Sequence, residues 1–557
     1  MGDRSGSLQP YSQQLPLIRR LKREVEDVSQ PWYADDAGAG GKFDRIKVYF
    51  EKLEEYGPKY GYFPEASKSI LIVREHDVER AKEYFAEMKF TIKTGYRYLG
   101  GFVGARAEMK EWIGEKADEW TAGIKAIAKV APQFPQTAYA GIQKSLQQEW
   151  QFVQRVIDGI GGEFSGVEAA LTEVFLPALF GETAPAGIHL RKITALPVKV
   201  SGLSIPNAEH SATKNYSTSA DCCSFLVKAI MGRATWSHLD HKVTLKQARE
   251  AAQISSIKDA EITRTELMGE EHMSKKDACI IGHGGKTGGW LTVLPNVMNG
   301  SILSDLEFRD GLRLRYAMTL QNLPTHCDGC QAKCNIDHAL NCKRGGLVIA
   351  RHNEVKDELG FLATLATSPN AVRDEPFIFP GRAADGESNS ESNSCPHVQS
   401  STNNEGDRGD LLLRGIWERQ THCVVDVRIA NVDSGSYLTS TPEKVLCRQE
   451  TEKKKKYLQA CLDQRRNFTP FVSSTGDGLM GREATALVKR LASMTASRWR
   501  TTYSKVCGYF KARMSIAVLR ATHSCLRGSR VPAKNISSKI FMHIEDGAGL
   551  GLMHYDY

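Results

Sequence analysis

Long apolar runs are missing from this chain of 557 residues. None approaches the roughly 18 residues that a bilayer crossing needs. The N-terminus, rich in Gln, Ser and Arg, lacks the apolar stretch of a secretory signal. Regular cysteine spacing is absent too. Thirteen cysteines at irregular intervals exclude the paired framework of a small secreted protein. A reducing compartment is expected instead, nuclear or cytoplasmic and not secreted. What is present, 41% hydrophobic and 8% aromatic residues, suffices to bury globular cores. The length implies several of them.

Charge is unevenly placed. Glu443 to Arg530 carries 19 Lys and Arg against 6 Asp and Glu, a balance of +13, so the rest of a chain with net charge +8 sums to −5. Basicity gathered at one end suits a polyanion; solvated helix faces are the plainer reading.

The most informative stretch is Gln30-Pro31-Trp32-Tyr33-Ala34-Asp35-Asp36-Ala37-Gly38. It reads as a β-hairpin tip carrying two adjacent carboxylates. These repel each other unless a cation sits by them, and all-oxygen ligands with phosphate substrates favour Mg²⁺. Such a pair can serve nucleotidyl transfer with two metals; ordinary turn chemistry is the alternative. Downstream come Gly61-Tyr62-Phe63-Pro64-Glu65-Ala66-Ser67-Lys68-Ser69, the apolar strand Ile70 to Val73, and Tyr96-Arg97-Tyr98-Leu99-Gly100-Gly101. In this order the motifs resemble the last palm motifs of reverse transcriptases of non-LTR, target-primed retrotransposons. The resemblance implies that Asp35 and Asp36 hold catalytic Mg²⁺ (or Mn²⁺), that Lys68 lies beside nucleotide phosphates, and that the turn at Gly100 grips the primer. A complete polymerase of this kind also needs fingers and an earlier metal-binding aspartate. Only 34 residues precede Asp35, so the chain is expected to be truncated at its N-terminus and unable to polymerise alone.

Helical spacing of Ile46, Phe50 and Leu53 predicts a helix over 44–56, ended by Gly57-Pro58. A helix over 76–88 and a strand at 90–92 follow. Residues 105–157 read as mostly helical, with Trp112, Trp120 and Trp150 as core more often than stacking platforms. Leu196 to Pro206 resembles the "LP…GGL" turn of retroelement thumbs, and Leu303 to Arg315 the linker before their zinc knuckle. Leu306, Leu312 and Leu314 are expected in a core.

Cys327-Asp328-Gly329-Cys330, then His338 and Cys342, have the spacing C-x2-C-x7-H-x3-C. Three thiolates and an imidazole close tetrahedrally on Zn²⁺. So short a segment would draw its folding energy from the metal. Cys334 and His326 stand near enough to substitute. The cluster resembles the CCHC knuckle of the same elements.

After it, Arg351-His352-Asn353 opens a helix to about 366, and a strand is expected over 375–379. Residues 385–408 are Ser, Asn, Gly and Glu-rich, an expected disordered insertion. Residues 409–414 and the β-branched 422–429 read as strands, 443–466 as a helix, 468–472 as a strand and 482–494 as a helix. Helix, three strands, helix, strand is the core order of PD-(D/E)xK nucleases. Asp410 and Asp426 on adjacent strands can share one Mg²⁺, with a lysine to orient water. The restriction-like endonucleases of target-primed elements resemble this stretch. The resemblance implies Lys453 as the catalytic lysine, and Arg351, His352, Arg428, Lys456 and Tyr457 at the nucleic acid. Gly409 stands where a proline is usual, and Arg428 where an ordinary nuclease has its lysine. A loop cap for Asp410, and a solvated face or import signal for Lys453 to Lys456, are the duller alternatives. Bases alternating with Trp499, Tyr503, Tyr509 and Phe510 suit either a helix on phosphates or packing against the nuclease core.

The expected fold is therefore α/β and mainly-α, multidomain. A partial reverse-transcriptase palm spans 1–104, a helical thumb 105–240 and a helical linker 241–325. A zinc knuckle follows at 326–345, a PD-(D/E)xK-like α/β nuclease domain at 346–495 and a basic tail at 496–557. The implied function is an RNA-directed DNA polymerase with a Mg²⁺-dependent DNA-nicking endonuclease. Its partners would be element RNA and target DNA, with no membrane and no small substrate beyond deoxynucleoside triphosphates. The alternative is a catalytically inactive, retroelement-derived nucleic-acid-binding protein.

Overall fold

The structure, a computed structural model, describes residues 9–33, 36–271, 273–378, 408–437, 440–476 and 478–531. Asp35, the expected insertion apart from Arg408, and the tail past residue 531 lie outside the described residues. The chain is mixed α/β, dominated by helices with small sheets. Among the described residues no helix is long and apolar enough to cross a membrane. There are two compact units: Met1–Ala122 with Glu149–Glu168 and Ala208–Leu245, and Gly123–Gln148 with Ala169–Asn207 and Lys246–Tyr557.

In the first unit, β1 (Trp32–Tyr33) pairs antiparallel with β2 (Asp36–Ala37), Tyr33 opposite Asp36. The helix Phe43–Tyr56 buries Ile46, Tyr49, Phe50, Leu53 and Tyr56. That spacing is one stripe of an amphipathic helix, and it packs with Leu17 and Leu21 of the helix Gln9–Glu24. β3 (Ile70–Ile72) and β4 (Thr91–Lys93) run parallel, with the helix Val78–Tyr84 in their crossover. β5 (Gly95–Tyr98) and β6 (Gly101–Gly104) form a hairpin. Its two-residue turn places Leu99 at φ 48° and Gly100 at φ 77°, the left-handed pair that matches strand twist. Trp120 and Trp150 are core, as their spacing suggested, and Trp120 Nε1 donates to Glu149 at 3.1 Å.

The second unit holds a four-stranded sheet, ordered β10 (Asn467–Ser474), β9 (His422–Ala430), β8 (Leu411–Arg414) and β7 (Val372–Asp374). β9 is nearly continuously buried because helices cover it on both sides. β10 runs parallel to β9 through the crossover helix Pro442–Asp463, and as an edge strand it tolerates Pro470. The expected strand over 375–379 is reduced to a bridge between Phe377 and Arg408; the third strand is β7, a few residues earlier.

The helix Tyr503–Arg527 runs through the core of this unit, with Phe510, Met514 and Val518 buried against Leu359, Phe471 and Leu487. Its arginines are engaged inside the fold. Arg513 clamps Glu358 at 2.8 and 2.7 Å, Arg520 donates to Gly300 O at 3.1 Å, and Arg527 clamps buried Asp310 at 2.7 Å. Two of the positive charges counted at this end, Arg513 and Arg527, are thus paired with carboxylates inside the fold. In the helix Asp305–Arg315, Phe308 and Leu312 are buried, whereas Leu306 is exposed, contrary to expectation. The Leu196 to Pro206 turn needs its glycine: a Cβ on Gly202 would lie 1.8 Å from Leu196 O.

Candidate carboxylate site and metal centre

Strand register builds the first site. Leu411 pairs with Val425, and the Asp410 N–H donates to Val425 O at 3.0 Å, so Asp410 enters β8 beside Asp426 in the middle of β9. Asp410 Oδ2 accepts the Val427 N–H at 2.5 Å and lies 3.1 Å from His352 Nε2. Asp426 is 5% exposed. The crossover helix brings Lys453 Nζ to 2.5 Å from Asp426 Oδ2, an ion pair without hydrogen-bond alignment. Burial pushes the Asp426 carboxyl above the usual carboxylate range; Lys453 opposes this and the Asp410 charge adds to it. The hydrogen bond to Asp410 lifts the His352 imidazole above its ordinary value, against the effect of burial.

Around this group the structure redistributes the expected nucleic-acid contacts. Arg428 is half-exposed and pairs with Glu452 at 3.2 Å. Lys456 Nζ donates to the Tyr457 hydroxyl at 2.6 Å. The Tyr457 ring itself is buried with Leu412, Val424 and Phe468, so it is core rather than a stacking surface. Arg351 is 4% exposed and donates to Leu340 O at 3.0 Å. It cannot reach a phosphate; it fastens the helix Leu347–Ala366 to the short helix Ile336–Asn341.

That short helix carries the second site. The ligand atoms of Cys327, Cys330, His338 and Cys342 lie within 4.8 Å of one another, a group that can hold a metal such as zinc. The Cys327–Cys342 and Cys330–Cys342 sulfurs are 3.9 Å apart, and Cys330 Sγ is 3.3 Å from His338 Nε2. A tetrahedron with Zn–S bonds of 2.3 Å has edges of about 3.8 Å, so the four donors fit the ion. Despite partial desolvation, hydrogen bonds from His338 and the Gly329 and Cys330 amides draw the Cys327 thiol down to about 6. Asn335 caps the helix by accepting the His338 N–H at 2.7 Å, which fixes where the imidazole starts. Cys334 and His326 are outside the group; Cys334 packs against the apolar cluster around Leu340 instead.

In the first unit, Asp36 is exposed at the hairpin, and Lys68, also exposed, pairs with Glu65 at 2.6 Å. Gly100 lies under Phe152, whose ring would be 2.6 Å from an added Cβ.

No family model matches this chain, and no curated protein matches it.

Sequence reasoning missed the residues that fasten the metal centre to its surroundings. Asp328, inside the C-x2-C turn, accepts from Ser529 Oγ at 2.7 Å and from the Arg530 N–H at 2.8 Å. Arg530 Nη2 donates to Ala339 O at 2.8 Å, and Asn431 Nδ2 to Asp337 at 3.0 Å. Gly329 and Gly345 are the local hints of a tight approach here: an added Cβ would lie 2.7 Å from Arg530 Cβ at the first and 2.4 Å from Arg530 Cα at the second.

Proposed function

We propose that this chain is a reverse transcriptase of the non-LTR retrotransposon type, and that the Asp410–Asp426 site nicks target DNA with Mg²⁺. The observation that carries the reading is the convergence of Asp410, Asp426 and Lys453 from two neighbouring strands and the following crossover helix. Asp410 and Asp426 would hold the cation, which keeps several waters and leans on substrate phosphate. Bound there, Mg²⁺ supplies Lewis-acid polarisation of the phosphate and a more acidic water. Lys453 offers its ammonium to charge developing on the phosphorane. The His352 hydrogen bond and the Val427 N–H hold Asp410 in one orientation. Arg428, always protonated, suits phosphate binding and not proton abstraction. The Asp36 hairpin and the Gly100 turn belong, in this reading, to the palm, and the cysteine cluster to the CCHC knuckle. Element RNA and target DNA are the partners.

Among the described residues only the Cys₃His group brings three or more His, Cys, Asp or Glu ligands to closing distance. That favours, as a second reading, a retroelement-derived protein that binds nucleic acid without chemistry. Plasmid nicking by the full chain in Mg²⁺ separates the two. Nicking that disappears in Asp426→Ala supports the first; nicking unchanged by that substitution removes the assignment of this site.

A further inference from the structure

Beyond the carboxyl ends of the parallel pair β9 and β10 lies a cavity of about 460 Å³. Pockets that enclose small ligands run from roughly 300 to 1,000 Å³, and the ends of parallel strands are where such crevices form. It is lined by Asn431 to Asp433 after β9, by Ser474 to Gly476 at the end of β10, and by the helices Lys275–Thr287 and Ile336–Asn341. Neither the carboxylate site nor the cysteine cluster uses it.

Its lining is of two kinds. Leu314, Leu320, Leu340, Val432 and Leu479 give it apolar walls. Against them stand groups that donate and groups that accept. The Asn431 amide and the Asp337 carboxylate are joined at 3.0 Å and present a paired edge. Arg315, 2% exposed, spends its terminal nitrogens on Gly284 O and Val198 O, while its buried Nε has no partner. Asp277 and Asp433 complete the lining with negative charge, and exposed Lys276 stands among them.

The chemistry selects a ligand. Three carboxylates against Lys276 and Arg315 leave the lining without the net positive charge that would hold a phosphate or carboxylate inside the cavity. The polar edge rejects a hydrocarbon, which would cover the Asn431 amide and the Asp337 carboxylate and leave their remaining hydrogen-bonding positions unmet, at a cost in desolvation. A flat heterocycle bearing both donors and acceptors satisfies walls and edges together. Amide and carboxylate side chains read base edges in this manner, and extruded bases are held between apolar side chains. We propose that this cavity receives an unpaired nucleobase of a single strand, with Lys276 toward the phosphate backbone outside. Asn431 lies one residue past the end of β9 and five after Asp426, about 16 Å at the rise of a strand. The inference rests on the nucleic-acid reading above and not on cleavage.

The test uses the full chain with Ca²⁺ in place of Mg²⁺ and a short fluorescent single-stranded DNA. Its competitors are an unlabelled strand with bases and an equally long strand of abasic residues. The base-bearing strand should compete about 10-fold better, the loss expected for one base contact. Thr319→Trp, which fills the cavity, should remove that advantage and leave abasic-strand binding intact. Leu320→Trp fills the same space should the first variant not fold. Equal competition by the two strands, or an advantage untouched by filling the cavity, overturns the base pocket while nucleic-acid binding stands. Binding of neither strand overturns both.

Discussion

Lys453 Nζ rests 2.5 Å from Asp426 Oδ2, although the lysine belongs to the crossover helix and the aspartate to the strand before it. Asp426 is 5% exposed, and burial holds its carboxyl above the usual range despite that neighbour. The pair has different consequences for stability and for chemistry. Asp426→Asn should end nicking while leaving the melting temperature unchanged or higher, since a buried charge is removed. Lys453→Met should lower the melting temperature, because it strands that carboxylate. Thermal melting of the two variants beside plasmid nicking checks the contrast. A large destabilisation by Asp426→Asn would contradict it.

His352 touches Asp410 at 3.1 Å and is a positioning residue in the proposed reaction. His352→Ala should raise the Mg²⁺ concentration for half-maximal nicking by about 10- to 100-fold, the usual effect of losing a partner that orients a ligand. His352→Gln, which can still donate, should recover part of it. Magnesium titration of the nicking rate reads both. An unchanged Mg²⁺ dependence in His352→Ala would show that Asp410 needs no such support.

The metal centre is fastened to the second unit by Asp328, Arg530 and Arg351. Metal analysis should find zinc in the wild-type chain and none in Cys342→Ser. Loss of the ion should also lower the melting temperature and open 326–345 to proteolysis, because the metal supplies folding energy that the short segment lacks. Zinc loss with melting and proteolysis unaltered would show the clasp to be self-sufficient.

Asp310, buried between Arg527 and His523, predicts a pH dependence. Burial raises its carboxyl, but the Arg527 and His523 hydrogen bonds outweigh that and hold it below the usual range. A carboxylate depressed in the folded state stabilises above its unfolded value, near pH 4. That stability is lost as pH falls through the lower folded value. Asp310→Asn should therefore cost about 3 kcal/mol at neutral pH, with the gap to wild type closing below pH 4. Urea unfolding at a series of pH values measures it; a gap independent of pH would rule out the ionised pair.

Two neighbouring glycines should respond unequally to alanine. Both are left-handed, Gly345 at φ 70° and Gly346 at φ 71°. Only Gly345 also abuts Arg530, with Cα 2.4 Å from an added Cβ, whereas Gly346 faces open space. Gly346→Ala should cost about 1–2 kcal/mol, the left-handed penalty alone. Gly345→Ala should cost clearly more and loosen the metal centre. Melting temperatures rank them, and equal values would mean that Arg530 can move aside.

Repeating local patterns made much of the chain legible. The stripe of Ile46, Phe50 and Leu53 is helical, the β-branched run around Val424 and Val425 is a strand, and Cys327, Cys330, His338 and Cys342 lie together. Arg351 and Tyr457 were not legible. A charged or phenolic side chain reads as surface until a distant partner is known. For Arg351 that partner is the Leu340 carbonyl, and for Tyr457 it is the space beside Phe468.

What the residues determined alone are periods, turns and ligand spacings, because these follow from backbone geometry within a few positions. The tertiary fold decided where the basic C-terminal helix goes. Phe510, Met514 and Val518 gain more by leaving water than Arg513 and Arg527 lose, since Glu358 and Asp310 wait inside to pair with them. Both carboxylates lie more than a hundred residues earlier in the chain, beyond the reach of any local pattern.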